Sequence, residues 1–593
     1  MKTSCRLFSK FAVLTGKAYG YCLVASFLLF IYIPMLVLFP KTTTLQHHTN
    51  DYLAEATGKM TFGLESSPGS QSYSILGKPI TQLNPAIAAK ADQGIAETTV
   101  SAPSAFSSEI KQQYGGIPKE YVLRFNSLEE LRDFLKKARE CGLEILGFNE
   151  KLLSIRFHAE SFETYGDLFS DISPANLEQN GEVFTPDIFN LDQAPSLAGY
   201  AGFGRGALAW LGLKDRAGNW GDGVVVAVLD TKIEPHPALE GTAIRYFNLL
   251  PVDTVTDTGE YAGHGTAVAS IIAGNDGLIQ GIAPMSKLLA ISVLDGNGLG
   301  DTFTLAEGIL TAVDNGANLI NMSLGSYADS ATLRQAIDYA LNKGVVVVAA
   351  TGNDGLEQVM YPAGYEGVIS VGAVDALEQH LAFSNSGKVD IAAPGYEVQT
   401  AWTNGQYAEF SGTSAASPFV AGTIAGMISE NRGLSIKEAA NIVLAQTNDT
   451  GAPGRDDQFG NGILSVERIQ RRNASGIYDL AVAGYYLSEP APPTANEAMP
   501  LGVTIENRGT EDIGQAEVEI SINGKVEKHT LTNLLAGASV GIDTSVPRDT
   551  IGADGVVVVS AKGRIIGRAD QKSSNDIRLE DLIFVALQPA SRQ

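Results

Sequence analysis

Gly412-Thr413-Ser414-Ala415-Ala416-Ser417-Pro418 is the stretch that says most about the fold and chemistry of this chain. It sets a serine in a Gly/Thr turn directly before an apolar run, 419–421, which predicts a buried helix. A serine at a helix start keeps its hydroxyl and its own unpaired N–H outside the helix, and such an N–H can stabilise an oxyanion. Most serines in such turns are helix caps, so this stretch predicts a nucleophile only if the chain supplies its partners.

A serine nucleophile needs a base within hydrogen-bond reach, and the chain has seven histidines. His264 has the most suitable setting, in Gly263-His264-Gly265-Thr266 before a helical apolar pattern, because its small neighbours leave an imidazole accessible. Taken alone, His264 fits a functional and a structural role equally. The other histidines lie in a Ser/Thr/Pro-rich stretch, in flanking modules, in a Pro-flanked loop and in a Leu/Glu-rich segment: His47, His48, His158, His529, His236 and His380.

Two further polar residues follow apolar runs. Asp230 ends one run, and Asn353 follows another in the Gly-rich loop 351–355. Functional side chains of α/β sheets gather beyond the carboxyl ends of the strands. Asp230 either orients the base or caps a loop, and Asn353 either donates to an oxyanion beside the Ser414 N–H or completes a turn.

The segment 205–472 alternates short β-branched runs with helical patterns. The runs are apolar without alternation, which is typical of parallel strands covered on both faces. This pattern predicts a doubly wound, mostly parallel α/β sheet, with the four polar residues at its strand ends. The predicted strands are Val224–Leu229, Leu288–Val293, Leu319–Met322, Val345–Ala349 and Val368–Val371.

Other units flank this segment. We interpret 42–117 as a flexible stalk, 118–170 as a small α+β module, and 171–204 as a linker in which the chain could be processed. The pattern of residues 473–593 predicts an all-β sandwich of the immunoglobulin-like kind, with a hairpin at Asn523-Gly524.

The first 41 residues predict a cytoplasmic tail and a membrane anchor. Positive charges precede an apolar run, 18–39, of about the ~20 residues that a bilayer requires, so the rest of the chain should lie outside the cytoplasm, periplasmic or extracellular. A cleaved signal peptide, with secretion, is the alternative. Only Cys141 lies beyond this region, which excludes an intramolecular disulfide there. The net charge of −24 argues against nucleic acid as a partner.

The order Asp230, His264, Ser414, within these three local motifs, resembles the subtilisin-like serine peptidases over about residues 222–424. The resemblance implies a triad in which Ser414 attacks a peptide carbonyl, His264 takes its proton and Asp230 holds the imidazole. It assigns the oxyanion to Asn353 and the Ser414 amide. An acyl-enzyme is then hydrolysed, so the expected function is that of a serine endopeptidase.

The resemblance also implies how substrate binds. Gly298-Leu299-Gly300 resembles the edge segment that pairs with an extended protein or peptide substrate. Ser323-Leu324-Gly325 and 349–352, with Ala350 and Gly352, resemble the walls of the primary specificity pocket, and their low charge predicts a small or apolar residue before the scissile bond. The module at 118–170 resembles a propeptide, which implies a zymogen inhibited by its own N-terminal part.

Several residues depart from the family pattern. Lys232 follows Asp230-Thr231 in place of a glycine, and Ala267 and Ser270 stand where His and Gly are common. The loop 274–281 is short, and Asn275 and Asp276 offer few of the roughly 6–8 oxygens of a calcium site, so we assign no metal or other cofactor and leave calcium open as an alternative.

Two other functions remain open from the sequence. A catalytically silent subtilisin-fold binding protein is the main alternative, and Lys232 beside the triad is the feature that favours it. An esterase or other acyl hydrolase is a further alternative, although the Gly-x-Ser-x-Gly elbow does not occur around Ser414.

Overall fold

The computed structural model describes residues 59–67, 70–74, 115–186, 200–213, 219–488, 498–547 and 556–585. The predicted tail and anchor at 1–41 lie outside these residues. Within the described ranges, no helix has the length and apolarity required to cross a bilayer.

The stretch 42–117, predicted as a flexible stalk, contains two strands, β1 (Lys59–Ser67) and β2 (Ser70–Ser74). They pair with each other, and β1 also pairs in parallel with a strand near the end of the chain, Ile577–Val585. The local composition predicts no regular structure here. The edge of a sheet supplies hydrogen-bond partners for such a segment, and its own sequence does not reveal them.

The N-terminal module forms an antiparallel sheet in the order β6-β3-β5-β4. Its elements are β3 (Gly116–Arg124), α1 (Leu128–Glu140), β4 (Glu144–Asn149), β5 (Ser154–His158), α2 (Gly166–Phe169) and β6 (Leu177–Phe184). The predicted module boundary at 170 is wrong, because β6 lies in the predicted linker 171–204. The strand is polar in sequence and forms because β3 pairs with it along one side.

The central domain has the predicted doubly wound architecture, a nine-stranded sheet in the order β17-β18-β14-β13-β12-β11-β7-β9-β8. Its strands are β7 (Val225–Asp230), β8 (Ile244–Asn248), β9 (Lys287–Ser292), β11 (Leu319–Met322), β12 (Val346–Ala350), β13 (Val368–Val374), β14 (Ile391–Pro394), β17 (Thr447–Asn448) and β18 (Ile463–Leu464). Outside this sheet lie β10 (Leu299–Asp301), β15 (Val398–Ala401) and β16 (Tyr407–Phe410). The helices are α3 (Ala207–Trp210), α4 (His264–Ala273), α5 (Thr302–Asp314), α6 (Ala331–Asn342), α7 (Thr413–Glu430), α8 (Ile436–Ala445) and α9 (Val466–Arg471).

Both faces of this sheet are buried under helices. Val226 and Val228 of β7 face the core formed with α4 and α7, whereas Ala227 and Leu229 face the core formed with α5 and α6. Because successive side chains of a strand alternate between faces, Asp230 is directed to the side of α4 and α7. This parity places the carboxylate beside the helices that carry His264 and Ser414.

The C-terminal all-β domain consists of two sheets around one core. Asn523 and Gly524 have φ of 47° and 84°, which suits the two-residue turn predicted between β21 and β22. The strands are β19 (Leu480–Tyr486), β20 (Met499–Asn507), β21 (Ile513–Ile522), β22 (Lys525–Leu534), β23 (Ser539–Val546), β24 (Val556–Ile565) and β25 (Ile577–Val585). Sequence reasoning missed β23 and β25.

A chain of buried and half-buried charges joins this domain to the central one. Glu506 of β20 pairs with Arg468 of α9 and, at 2.8 Å, with Arg508. Glu378, in the loop after β13, bonds to Arg578 of β25 at 3.2 Å. Burial alone would lower the pKa of Arg508, but the carboxylates of Glu378 and Glu506 raise it. The β-domain is thus joined to the central domain by ion pairs, of which those around Glu506 are buried.

The environment of His380, in the same loop as Glu378, should make the stability of the folded protein depend on pH. Burial lowers the pKa of His380 to about 4, its Nε2 is closed off from solvent without a hydrogen-bond partner, and its ring packs on Phe459 with 5.7 Å between centroids. Between about pH 6.5 and 4 the His380 imidazole is protonated in the unfolded chain and neutral in the folded chain, so the free energy of unfolding falls as the pH falls. We expect the free energy of unfolding, measured with urea, to fall less between pH 7 and pH 5 in His380→Leu than in the wild type, by about 1–2 kcal/mol. An unchanged loss would contradict this assignment.

Candidate active site

Asp230 and His264 form a buried pair. Asp230 is the last residue of β7 and His264 the first of α4, and the Nδ1 of His264 lies 2.7 Å from the Oδ1 of Asp230. Both side chains are fully shielded from solvent. Gly265 permits this approach, since a Cβ there would lie 2.4 Å from the Thr231 carbonyl oxygen. The neighbour of the histidine is therefore small because the strand end passes against the helix start.

One ring nitrogen of His264 is hydrogen-bonded to Asp230 and the other has no hydrogen-bond partner. The ring of Phe410 packs edge-on against His264 with 5.1 Å between centroids, and the Nε2 of His264 is buried without a hydrogen-bond partner. A general base for a serine needs this arrangement: one nitrogen oriented by a carboxylate and the other able to accept a proton.

Ser414 lies at the second position of α7, whose start needs a glycine. Gly412, the N-cap, has φ 128° and ψ 169°, a conformation that L side chains rarely adopt. The helix packs against α4, which carries His264. This packing brings together two chain segments 150 residues apart.

Two hydrogen bonds tie Ser414 to Ser323. The Oγ of Ser414 donates to the carbonyl oxygen of Ser323 at 3.2 Å, and the Oγ of Ser323 donates to the carbonyl oxygen of Ser414 at 3.0 Å. The second bond replaces one that the helix lacks, because Pro418 has no N–H to give to the residue four positions earlier. Among the described residues, no hydrogen bond joins the Ser414 hydroxyl to His264.

Asn353 is oriented by Thr413. Its Oδ1 accepts the backbone N–H and the hydroxyl of Thr413, each at 2.9 Å. Because both groups of Thr413 donate, the amide oxygen of Asn353 is the atom directed to Thr413, and the NH₂ group is directed away from it. Since Thr413 precedes Ser414, the same contacts fix Asn353 beside the serine.

The predicted substrate edge contacts the chain's own N-terminal module. Gly298, Leu299 and Gly300 lie at β10, which pairs antiparallel with β6. On the other side of β6, Phe184 exchanges two backbone hydrogen bonds with Gly325, of 2.9 and 3.0 Å. The end of β6 thus lies as a middle strand between the two predicted substrate-binding segments.

The remaining predicted wall residues are buried. Ser323, Leu324 and Ala350 have no exposed surface, and Leu324 packs in the core beneath α5 and α6. A Cβ at Gly352 would lie 2.4 Å from the Asn385 amide, so no larger residue fits there. Sequence reasoning missed the bonds of Ser323 and the ring of Phe410, since no local pattern links them to the triad positions.

The residues set aside in the sequence have structural partners. His236 caps a short 3-10 helix with its Nδ1 and contacts the Gln406 carbonyl oxygen through its Nε2 at 2.8 Å. Lys232 pairs with Asp257 and makes no bond to Asp230. Asp276 accepts from two backbone N–H groups and from the Tyr407 hydroxyl. The described part of the chain holds no group of three or more His, Cys, Asp or Glu side chains poised for a metal.

Comparison with known proteins decides the family. The model described as "Subtilase family" matches residues 221–462. An alkaline protease of Shouchella clausii is 33% identical over 383 residues, which cover 98% of that protein and 64% of this chain. The chain belongs to the subtilase family. It is a subtilisin-like serine peptidase with an additional all-β domain.

Other relatives match shorter spans of the peptidase. Subtilisin Savinase of Lederbergia lenta is 39% identical over 254 residues, 92% of that protein and 42% of this chain. A thermophilic serine proteinase of Bacillus sp. strain AK1 is 35% identical over 345 residues, 83% of that protein and 56% of this chain. The solved protease domain of PatA, 30% identical, covers 42% of this chain and 96% of its own with a TM-score of 0.40. A model named CARDB matches residues 478–563 of the β-domain.

Proposed function

We propose that this peptidase cleaves peptide bonds with Ser414 as nucleophile, His264 as base and Asp230 as the group that orients the base. The observation that carries the proposal is the buried 2.7 Å bond from His264 Nδ1 to Asp230, with Nε2 left without a hydrogen-bond partner. In this proposal the Ser414 hydroxyl leaves the Ser323 carbonyl and donates to that nitrogen before it attacks. The carboxylate then stabilises the imidazolium that forms when Ser414 attacks.

Asn353 and the Ser414 N–H are the proposed donors to the oxyanion. The Ser414 N–H lies in the first turn of α7, where backbone N–H groups have no partner within the helix. The Asn353 amide is pre-oriented by Thr413, so its NH₂ needs no rearrangement when charge develops. The resulting acyl-enzyme is hydrolysed by water, with His264 as the base again.

We propose that substrates bind as an extended strand between Gly298–Gly300 and Gly325, the place that β6 occupies. The walls at Ser323–Gly325 and Ala350–Gly352 contain no charged side chain. An uncharged wall offers no partner to a desolvated cation. We therefore assign specificity for a small or apolar residue before the scissile bond.

A peptide library tests this specificity. We expect cleavage after small or apolar residues to exceed cleavage after Lys or Arg by at least about tenfold in kcat/KM, since burying an unpaired cation costs more than about 1.4 kcal/mol. Preference for Lys or Arg at that position would contradict the assigned pocket. Shuffling the residues distant from the scissile bond controls for effects elsewhere in the peptide.

We propose that the N-terminal module is a propeptide and that the chain is made as a zymogen. β6 fills the proposed substrate strand, and its side chains also cap two helices of the central domain. Glu178 accepts from the backbone N–H groups of Ala331 and Thr332, at 2.8 and 3.1 Å, where the start of α6 carries partial positive charge. The Oδ1 of Asn180 accepts from the Phe303 N–H at the start of α5, at 3.2 Å.

We further propose that the apolar run 18–39 anchors this zymogen, with the catalytic part periplasmic or extracellular, or secreted once the chain is cut. The β-domain, an immunoglobulin-like sandwich in this proposal, serves as a stabilising and docking module. The charge chain through Glu506 and Glu378 supports a fixed position for it.

One comparison tests anchor, processing and activity together. The N-terminal sequence and mass of the purified protein are measured beside those of its Ser414→Ala form. We expect a shortened wild-type chain that begins between residues 171 and 204, and a full-length Ser414→Ala chain. Identical full-length products that both fail to hydrolyse casein would contradict the peptidase mechanism, and identical shortened products would contradict self-processing.

A further inference from the structure

The end of β6 continues toward Ser414 in a defined register. Phe184 and Gly325 exchange both backbone hydrogen bonds, which marks them as a hydrogen-bonded antiparallel pair. Such pairs recur every second residue, with one chain ascending and the other descending. The next pair therefore joins residue 186 to Ser323, and the N–H of residue 186 is the natural donor to the Ser323 carbonyl.

Residue 186 is a proline and has no N–H to donate. It is buried, as is Thr185 before it, whose N–H bonds to Gly298 at 3.0 Å. The Ser323 carbonyl is therefore left without the donor that the register calls for. The Ser414 hydroxyl donates to this carbonyl at 3.2 Å, while the Nε2 of His264 remains without a partner.

We propose that Pro186 prolongs the latency of the chain by slowing its self-cleavage: by leaving the Ser323 carbonyl without a backbone donor, it lets that carbonyl hold the Ser414 hydroxyl away from His264. The inference rests on the proposed function, in which β6 occupies the substrate strand. An ordinary residue at 186 satisfies the Ser323 carbonyl with its own N–H and returns the hydroxyl to the histidine. The same geometry makes Pro an unfavourable residue at this position in any substrate.

With an N–H at residue 186, self-cleavage proceeds in balanced steps. The Ser414 oxygen bonds to the carbonyl carbon of residue 186, and its proton passes to His264 Nε2. The bond from that carbon to the following backbone nitrogen breaks, and the proton moves to the leaving amine. Water then hydrolyses the ester to a carboxylate and restores Ser414.

Pro186→Ala in the full chain tests the proposal. Conversion of the full-length chain is followed by mass, and each product by N-terminal sequencing. We expect cleavage after residue 186 to be roughly tenfold or more faster than in the wild type, the change that one recovered hydrogen bond of about 1.4 kcal/mol supplies. Pro174→Ala, a proline substitution in the same module, is the matched control and should convert at the wild-type rate.

The outcomes separate this inference from the proposed function. If wild type and Pro186→Ala hydrolyse casein but convert at equal rates, the latency inference is wrong and the peptidase mechanism stands. If neither form hydrolyses casein nor self-cleaves, both fail. A second measurement covers misfolding of the variant: a synthetic peptide of residues 177–190 should resist cleavage by the active enzyme, and the same peptide with the Pro186→Ala substitution should be cleaved, whereas equal cleavage of both contradicts the proposal.

Discussion

Ser414→Ala is expected to lower kcat/KM for peptide substrates by roughly 10⁴–10⁶-fold, because it removes the atom that forms the acyl-enzyme. Ser414 is 1% exposed and uncharged, so removal of its hydroxyl should leave the fold intact. The measurement is steady-state hydrolysis of a chromogenic peptide, together with labelling by a fluorophosphonate probe. Labelling should disappear in the variant.

Three further variants sharpen this prediction. Ser475→Ala, at an exposed serine between the central and β domains, is the matched control and should retain full activity. His264→Ala should lose activity to a similar extent, and the double variant should be little worse than either single one, because the groups act as a unit. Losses that multiply in the double variant, or a Ser414→Ala protein that still reacts with the probe, would exclude Ser414 as the nucleophile. Such a protein would fit the silent binding function.

Glu506→Ala is expected to destabilise the protein by about 3–5 kcal/mol, since it removes one partner of a buried ion pair and leaves the other uncompensated. The side chain of Glu506 is 2% exposed, and those of Arg468 and Arg508 are 7% and 4% exposed. Its carboxylate also accepts the backbone N–H of Asp449 at 2.9 Å. The free energy of unfolding is measured by urea titration in the Ser414→Ala background, which prevents self-digestion.

An exposed pair in the same domain provides the control. Glu519 and Lys528 lie 2.6 Å apart on β21 and β22, with side chains 46% and 74% exposed. Glu519→Ala should cost far less than Glu506→Ala, because water screens the exposed pair. Equal losses in Glu506→Ala and Glu519→Ala would show that the interdomain charges contribute nothing beyond surface pairing, and that the β-domain is not held by them.

The central sheet could be predicted because its signals are local. Five of its strands are short apolar runs, so the sequence predicts β11 at its observed bounds, Leu319–Met322, and β7, β9, β12 and β13 to within three residues. The remaining strands of the sheet, β8, β14, β17 and β18, are not predicted. Asp230, His264, Asn353 and Ser414 were predicted to lie together from their positions at strand ends. The turn at Asn523-Gly524 was predicted because glycine there adopts a positive φ at no steric cost.

Two of the missed strands have partners that are distant in sequence. β6 has the polar sequence LEQNGEVF, and it is a strand because β3 and β10 flank it. β1 pairs with β25, which lies more than 500 residues later. No periodicity within either segment indicates such pairing. Each strand is stabilised by backbone hydrogen bonds to the strands on both sides of it, and its own side chains do not specify these bonds.

The sequence by itself determined the family, the α/β architecture and the identity of the proposed catalytic side chains, because these depend on residue types in short, ordered motifs. Tertiary structure alone decided what those side chains contact: the Ser414 hydroxyl on the Ser323 carbonyl, the N-terminal strand beside Gly325, and Glu506 against Arg468. The physical reason is that hydrogen bonds and ion pairs join atoms brought together by packing. The partners in these three contacts lie 38 to 141 residues apart in the chain, where no local pattern connects them.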